Sequence, residues 1–329
     1  MSEEIQRILT LEGLPLVNLF GEHDCHLRTI EGRFGVRIVA RNGQLSVRGR
    51  EAGVAATIRL LEHLIERVRR GETLDGEDLG YALSQVEQDS SGGAQGHGPL
   101  SGPETVLYGD KRVVKVRSFG QGQYVAAMRA NEIVFSIGPA GTGKTYLAVA
   151  MAIHFLKEKQ VERVILARPA VEAGESLGFL PGDLLEKVDP YLRPLYDALR
   201  EMISFEKLQR FLQMGVIEVA PLAYMRGRTL HHAFVILDEA QNSTLPQMKM
   251  FLTRLGPASR AVITGDITQI DLSDPADSGL VRIRPILKDV GGIAFVDLDE
   301  SDVARHRLVR DIVNAFRDHD LRRDEPGER

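Results

Sequence analysis

The chain has 329 residues, which is long enough for about two domains. Its hydrophobic share of 43% and charged share of 26% are those of a soluble globular protein, and exclude fibrous and wholly disordered classes. The formal net charge of −5 argues against a surface that coats nucleic acid over its whole area, although it leaves room for a local basic patch.

The amino-terminal residues lack the basic start and long apolar core of a signal peptide. The longest apolar run, residues 146–156, is interrupted by His154 and is too short to span a bilayer. The single cysteine, Cys25, cannot form an internal disulfide, which favours a reducing compartment. We therefore expect a cytoplasmic protein with no membrane segment.

The sequence pattern of residues 5–70 predicts a small α+β domain. An expected strand is followed by a helical segment and then by two alternating runs around Asn42-Gly43, a dipeptide typical of tight hairpins. A second helix is indicated by apolar residues at helical spacing, which are Val54, Ile58, Leu61, Leu64, Ile65 and Val68. The predicted order is strand, helix, strand, strand, helix.

Residues 71–104 are interpreted as a flexible linker. The segment "GETLDGEDLGYALSQVE" could form a short helix, but "DSSGGAQGHGPLSGPE" is rich in Gly, Ser and Pro and has no periodicity. The domain boundary is therefore placed here. At the other end, residues 319–329 are too charged to pack and are expected to form a frayed tail.

From residue 105 to 318 the pattern alternates between strands and helices. Several candidate strands are continuous apolar runs, which is typical of a parallel sheet covered by helices on both faces. The candidate strands are "EIVFSI", "ERVILA", "GVIEVA", "AFVILD", "RAVITG" and "GIAFVDL". Helices are expected over about 143–158 and 245–255. The fold class is predicted to be α/β.

The segment Gly138–Thr145, "GPAGTGKT", matches the phosphate-binding pattern G-x-x-x-x-G-K-[ST] and lies between an apolar strand and a helix. Its glycines let backbone N–H groups surround a phosphate, and the helix amino terminus favours negative charge. Lys144 would neutralise the β- and γ-phosphate oxygens, and the Thr145 hydroxyl would bind Mg²⁺.

A second motif, "AFVILDEAQN", ends an apolar strand with two carboxylates. Asp238 would lie at the carboxyl edge of the sheet, where it suits a direct or water-mediated contact with Mg²⁺. Glu239 would orient and deprotonate an attacking water. An acidic pair that only caps the next helix is the structural alternative.

A third motif, "VITGDITQI", places Gln269 just past another strand end. A neutral amide there can sense the γ-phosphate through a hydrogen bond without adding charge. Because one helix and one strand separate it from Asp238, we expect it on a neighbouring strand. An ordinary turn is the alternative.

Together these motifs resemble the PhoH-like family of P-loop ATPases, over essentially residues 105–318. The resemblance also includes "RPAVEAGESLGFLPGDLLEKVDPYLRPLYDAL", "YMRGRTL" and "LTRLG". It implies a P-loop NTPase fold similar to the first RecA-like domain of superfamily 1 helicases, with ATP and Mg²⁺ as cofactors. Lys144, Glu239 and Gln269 would then be catalytic, and Thr145 and Asp238 would hold the metal.

The resemblance implies further nucleotide contacts. Gln121 matches the glutamine that reads adenine, although nearby Gln123 offers a second register. Arg168-Pro169 lies where such helicases face single-stranded nucleic acid, with a plain strand terminator as the alternative. The expected nucleotide-binding residues are Gln121, Gly138, Pro139, Ala140, Gly141, Thr142, Gly143, Lys144, Thr145 and Tyr146.

Superfamily 1 helicases carry a second RecA-like domain that brings an arginine to the γ-phosphate, and only about 60 residues follow Gln269, too few for such a domain by the usual size of domains. We therefore expect a homo-oligomer, plausibly a ring, in which a neighbouring subunit supplies the arginine. The candidates are Arg226, Arg228, Arg254 and Arg305. Each could instead be a salt-bridged surface arginine.

The amino-terminal domain resembles the KH-like domain of PhoH proteins. KH domains clamp single-stranded RNA with a G-x-x-G loop, but here Gly21–Asp24 lacks the second glycine and ends in an acid. A docking role is an equal alternative to RNA binding through this loop. The segment "DKRVVKVRS" could present a basic strand face to RNA or be an ordinary solvated face.

Two functions follow from the resemblance. The first is an ATPase motor that acts on single-stranded RNA. The second is an ATP-dependent switch that recruits a partner such as an rRNA-maturation endoribonuclease. A kinase is disfavoured, because Glu239 and Gln269 are what water attack requires.

Overall fold

The computed structural model describes residues 4–11, 15–90, 104–169 and 184–303. The chain forms two compact units. The first comprises the residues up to 108 together with 113–123, and the second comprises 109–112 and the residues from 124 onward. The predicted tail, Arg305 and most of the segment after Pro169 lie outside the described residues.

The first unit contains an antiparallel three-stranded sheet whose order is β1, β3, β2. Asn42 and Gly43 both have positive φ, as a tight hairpin turn between β2 and β3 requires. Its elements are β1 (Glu4–Thr10), α1 (Leu16–Phe20), α2 (Cys25–Phe34), β2 (Arg37–Arg41), β3 (Gln44–Arg50), α3 (Glu51–Arg69), α4 (Gly76–Ser90), β4 (Thr105–Tyr108) and β5 (Val113–Lys115).

The predicted order of strand, helix, strand, strand, helix is confirmed for residues 5–70. The first predicted helix is broken into α1 and α2 because Gly21, His23 and Asp24 all have positive φ. The resemblance of this unit to a KH-like domain stays a prediction.

The flexible linker expected over 71–104 is wrong for residues 76–90, which form α4. One face of this helix belongs to the core of the first unit, through Leu79, Ala82, Leu83 and Val86. These residues recur at i, i+3, i+4 and i+7, so an amphipathic signal lies beside the Gly/Ser-rich stretch. Strands β4 and β5 also group with the first unit, so the boundary lies beyond residue 105.

The second unit is built on six parallel strands with helices between them. Helix α5 (Phe119–Ala130) leads from the first unit into it. Its further elements are β6 (Ile133–Ile137), α6 (Lys144–Lys157), β7 (Arg163–Arg168), α7 (Leu184–Met202), α8 (Phe205–Gln213), β8 (Ile217–Pro221), β9 (Ala233–Leu237), α9 (Leu245–Leu252), β10 (Arg260–Gly265), α10 (Gly279–Leu287) and β11 (Ile293–Asp297). All six predicted strands are confirmed, and the α/β fold class with them.

The strand order β11, β6, β10, β9, β7, β8 decides where the three motifs meet. All five residues of β9 are buried, as expected for a central strand covered on both faces. Strand β10 lies between β6 and β9, so the segments that follow these three strands share one edge of the sheet. The prediction that Gln269 follows a strand next to that of Asp238 is confirmed.

Candidate functional site

The phosphate-binding loop joins β6 to α6. Gly141 and Gly143 have φ of 90° and 81°, a region that side chains other than glycine rarely adopt. A Cβ on Gly138 would overlap the carbonyl oxygen of Leu298, which lies just past β11. The glycine pattern is therefore required by the backbone of the loop itself, and the loop is shaped as a cradle of the kind that phosphate needs.

Lys144 points into this cradle and is 8% exposed. Its Nζ donates to the carbonyl oxygens of Gly138, at 2.6 Å, and Pro139, at 2.9 Å. Thr142 closes the loop through its Oγ1, which donates to the same Pro139 carbonyl at 2.9 Å. The ammonium group thus lies at the centre of the loop, where a phosphate oxygen could replace a carbonyl partner.

Tyr124, on α5, contacts the backbone of the phosphate-binding loop, and it was not predicted from the sequence as a site residue. Its hydroxyl donates to the backbone oxygen of Lys144 at 3.2 Å, and the side chain is fully buried. Burial raises the pKa of Tyr124 above its usual range, so the hydroxyl keeps the proton that it donates. No pattern in the sequence marks this contact, because it joins residues 20 positions apart.

The predicted metal ligands are in direct contact. The Thr145 hydroxyl donates to Oδ1 of Asp238 at 2.6 Å, and the Thr264 hydroxyl on β10 donates to the same oxygen at 2.7 Å. Asp238 is 5% exposed, so its carboxylate is held in one position. A hydroxyl and a carboxylate are the hard oxygen ligands that Mg²⁺ accepts alongside water and phosphate. This pair therefore fits the expected ion.

Glu239 has φ of 51° at the turn after β9. Its Oε2 accepts a hydrogen bond from Nε2 of Gln241 at 2.6 Å, and its Oε1 forms an ion pair with Nη2 of Arg168 at 3.1 Å. The carboxylate is one-third exposed. Both oxygens are held, yet each carboxylate oxygen has a second lone pair, so Glu239 can still accept a hydrogen bond from water.

Gln269 and Glu239 are joined through Gln241. The Gln241 amide donates to the backbone oxygen of Gln269 at 3.0 Å and accepts from the N–H of Asp266 at 3.1 Å. Gln269 in turn donates to Oδ2 of Asp266 at 2.7 Å. Gln241 was not predicted as a site residue, although the "DEAQ" motif contains it.

These residues line one cleft with a cavity volume of about 260 Å³. The lining residues are Ala140, Gly141, Gly143, Lys144, Thr145, Tyr146, Asp238, Glu239, Gly265, Asp266 and Gln269. The three motifs that the sequence predicted to cooperate are thus brought together. Within the part of the chain that the structure describes, these lining residues include one cation, Lys144, and no arginine.

Gln121 belongs to the first unit, unlike the cleft. Its Oε1 accepts the backbone N–H of Arg117 at 2.7 Å, and its side chain is buried. Its role towards adenine stays a prediction. Arg168 contacts Glu239, and its expected role towards nucleic acid stays a prediction.

The candidate arginines differ in their surroundings. Arg228 forms two hydrogen bonds with Glu218, at 2.6 and 2.7 Å, which raise the pKa of the guanidinium. Arg254 donates to the backbone oxygens of Met250 and Arg228. Arg226 is exposed and has no ion pair or side-chain hydrogen bond with any described residue. Arg228 and Arg254 are engaged in contacts within their own subunit. Among the candidates that the structure describes, Arg226 is the one whose guanidinium has no such contact.

The described residues offer few other kinds of site. No group of three or more His, Cys, Asp or Glu side chains there could hold a metal ion. In the same residues, every helix falls short of the length and apolarity needed to cross a membrane. The cleft at the edge of the parallel sheet therefore remains the candidate.

Comparison with known proteins gives consistent names. The chain is 47% identical over 300 residues to a PhoH-like protein of Bacillus subtilis (strain 168), covering 91% of this chain and 93% of that one. It is 48% identical over 316 residues to a PhoH-like protein of Mycobacterium tuberculosis (strain ATCC 25618 / H37Rv), and the match covers 95% of this chain and 86% of that one. It is 42% identical over 209 residues to protein PhoH of Escherichia coli (strain K12), and the match covers 63% of this chain and 59% of that one.

Among solved structures, the SWI2/SNF2 ATPase core of Sulfolobus solfataricus in complex with dsDNA matches at 14% identity and a TM-score of 0.33. The match covers 54% of this chain and 43% of that one. The family profile described as PhoH-like protein matches residues 113–317, close to the predicted range of 105–318. The chain therefore belongs to the PhoH-like protein family.

Proposed function

We propose that this protein binds ATP with Mg²⁺ and hydrolyses it, and that hydrolysis is coupled to single-stranded RNA. The observation that carries the proposal is the position of Glu239. Its two oxygens are held by Gln241 and Arg168 at the edge of a cleft that also contains Lys144 and the contact between Thr145 and Asp238.

In this proposal the phosphate loop binds the triphosphate. Backbone N–H groups of residues 140–145 surround the β-phosphate, and Lys144 exchanges its carbonyl partners for phosphate oxygens. Thr145 and Asp238 hold Mg²⁺. When bound, Mg²⁺ supplies positive charge that stabilises the charge developing on the phosphate oxygens.

Glu239 acts as the base that orients and deprotonates water, through the lone pairs that Gln241 and Arg168 leave open. Gln269 lies next to it and hydrogen-bonds the γ-phosphate once its side chain leaves Asp266. Water is the acceptor in this arrangement, because a carboxylate base and a neutral amide, which attack by water requires, both line the cleft.

Positive charge at the γ-phosphate is worth about 10³–10⁵ in rate when an arginine provides it. The described lining of the cleft contains no arginine. We therefore include in the proposal a homo-oligomer, plausibly a ring, in which Arg226 of one subunit completes the site of the next.

The link to RNA rests on the resemblance of the motifs to those of superfamily 1 helicases. The segment "DKRVVKVRS" offers less support than expected, because Lys111 donates to the backbone oxygen of Arg200 and Arg112 forms an ion pair with Glu201 at 2.9 Å. The second candidate is a switch that recruits a ribonuclease in an ATP-dependent way. The ion pair between Arg168 and Glu239 favours this candidate, because it restrains the proposed base.

The test is phosphate release from ATP by the full chain, with and without single-stranded RNA, over a range of salt concentrations. A motor predicts Mg²⁺-dependent hydrolysis that RNA stimulates and salt weakens. If RNA did not change the rate of hydrolysis, the result would favour the ATP-dependent switch over the motor. Absence of hydrolysis under all these conditions would overturn it.

A further inference from the structure

The three-stranded sheet of the first unit has one covered face and one exposed face. Side chains alternate along its strands, so Ile38, Leu45 and Val47 are buried in the core. The opposite positions face outward, and among them Ile8 and Val39 are 56% and 49% exposed. We call the outward positions of β1, β2 and β3 the open sheet face.

The strand register arranges this face in rows. Ile8, Ser46 and Val39 form a central row that is largely apolar. On one side Gln6, Arg48 and Arg37 form a row, and on the other side Thr10, Gln44 and Arg41 do. Arg37 and Arg41 are four residues apart on β2, which is about 13 Å at the usual rise of a strand. Cationic rows therefore flank an apolar strip, and the face encloses a shallow cavity of about 470 Å³.

The charge on this face is one-sided. Among described residues it carries four arginines, Arg37, Arg41, Arg48 and Arg50, and one carboxylate, Glu4. Arg48 pairs with Glu4 at 2.9 Å, with both side chains more than half exposed, so the pair contributes little and opens easily. Arg37 and Arg41 form no ion pair with any residue that the structure describes. In a chain of net charge −5, such a patch is a local attractor for a polyanion.

We propose that the open sheet face binds the sugar–phosphate backbone of single-stranded RNA. Arg37, Arg41 and Arg48 contact phosphates, and Ile8 and Val39 contact sugars and base edges. The proposal rests on the proposed coupling to RNA and assigns that coupling a surface. It places RNA on the sheet rather than on the Gly21–Asp24 loop, where Glu22 and Asp24 would repel phosphate.

The composition of the face also predicts how RNA binds. None of the residues that line it is aromatic, so stacking does not contribute, and phosphate contacts supply most of the affinity. Binding should therefore be strongly salt-dependent and tolerant of sequence. For single strands, each phosphate contact contributes about 0.7 to the slope of log affinity against log salt.

The test is fluorescence anisotropy of the full chain with a fluorescein-labelled oligouridine of roughly 20 nucleotides, from about 50 to 200 mM salt. The triple variant Arg37→Gln/Arg41→Gln/Arg48→Gln removes three contacts. Its slope should fall by about 2, which is a loss of about 100-fold in affinity near 0.1 M salt. Its thermal midpoint should match that of the unaltered protein, since all three side chains are exposed.

The matched control changes three exposed arginines of the same unit that lie off the sheet, Arg28 on α2, Arg69 at the end of α3 and Arg70 just after it, as Arg28→Gln/Arg69→Gln/Arg70→Gln. Its net charge changes equally, and its affinity should stay within about threefold. The proposal would be overturned if both variants lost RNA affinity equally, or if the control lost more. It would also be overturned if the unaltered protein bound no RNA at low salt. A sheet variant that keeps its RNA affinity but changes its oligomeric state would overturn it too, and would assign the face to a protein contact. The anisotropy measurement does not depend on ATP hydrolysis. If the sheet face does not bind RNA, the proposal that the cleft hydrolyses ATP is therefore unaffected.

Discussion

At the scale of single residues, the proposed base, Glu239, is held by two side chains. Glu239 follows β9, Arg168 ends β7, and Gln241 links Glu239 to the loop that carries Asp266 and Gln269. An isolated carboxylate at a strand end would sample several rotamers. Here the hydrogen bond from Gln241 and the ion pair with Arg168 fix its direction, and under the proposed function this would orient it towards water before substrate arrives.

Gln241 is therefore expected to act as a positioning residue. Gln241→Ala should lower the rate of ATP hydrolysis by about 10²-fold, the cost typical of a base misplaced by about 1 Å. Nucleotide affinity should stay within about twofold, since the loop and Lys144 are untouched. The measurement is steady-state hydrolysis together with titration of a fluorescent ATP analogue.

The control for this variant is Gln213→Ala, which alters an exposed glutamine at the end of α8. It should change neither the rate nor the affinity. If Gln241→Ala weakened binding as much as hydrolysis, its role would be structural support of the cleft and not orientation of the base.

At the scale of elements, the sequence predicted best where local pattern decides the outcome. The six strands of the second unit are apolar runs bounded by turns, and their observed bounds lie within one or two residues of the prediction. Residues 76–90 were assigned to a linker, with a short helix left open, because their neighbourhood is rich in Gly and Ser and the face of Leu79, Ala82, Leu83 and Val86 is only two turns long. Its packing depends on α2 and α3, which a local pattern does not reveal.

The same division holds in the site. The loop around Lys144 and the strand-end carboxylates Asp238 and Glu239 follow from local motifs in their strand and helix context. The ion pair between Arg168 and Glu239 could not be predicted, because it depends on β7 lying next to β9 in the sheet. Strand order is a property of the whole unit and is not written in any one segment.

Two substitutions in α4 separate a packed helix from a flexible linker. Leu79→Ala should destabilise the protein by about 2–5 kcal/mol, because Leu79 is 4% exposed in the core of the first unit. Gly80→Ala, on the exposed side, should stabilise it by about 0.5–1 kcal/mol, because an added Cβ meets nothing within 4 Å and helices favour alanine.

Both variants are compared with the unaltered chain by scanning calorimetry of the full protein. A packed α4 predicts shifts of opposite sign for the two variants. If neither substitution moved the unfolding transition, residues 76–90 would not form a packed helix.

At the scale of the whole molecule, the cleft brings the phosphate loop together with Asp238, Glu239 and Gln269 but offers no arginine among its described lining residues. Arg228 and Arg254 are engaged in contacts within their own subunit. Arg226 is exposed beyond β8 and has no described partner. A head-to-tail assembly, in which each subunit presents one surface to a different surface of the next, would close into a ring.

Mixing variants tests this assembly. Arg226→Ala and Lys144→Ala should each hydrolyse ATP very slowly when alone. A mixture in equal amounts should recover roughly a quarter of the unaltered rate, because one in four heterologous interfaces joins an intact Arg226 to an intact Lys144 site. Arg210→Ala, at another exposed arginine, should be fully active alone. Recovery that is absent at every mixing ratio would exclude Arg226 as the shared residue.

The central claim is that Glu239 is the base of an Mg²⁺-dependent ATPase site, and Glu239→Gln tests it most directly. The amide keeps the shape of the side chain but cannot take a proton, so hydrolysis should fall by about 10²–10⁴-fold. Binding of Mg²⁺ and ATP should remain within about twofold, because Lys144, Thr145 and Asp238 are unchanged. Both quantities are measured on the same full-length protein, hydrolysis by phosphate release and binding by titration. A variant that hydrolyses ATP at the unaltered rate would contradict the account.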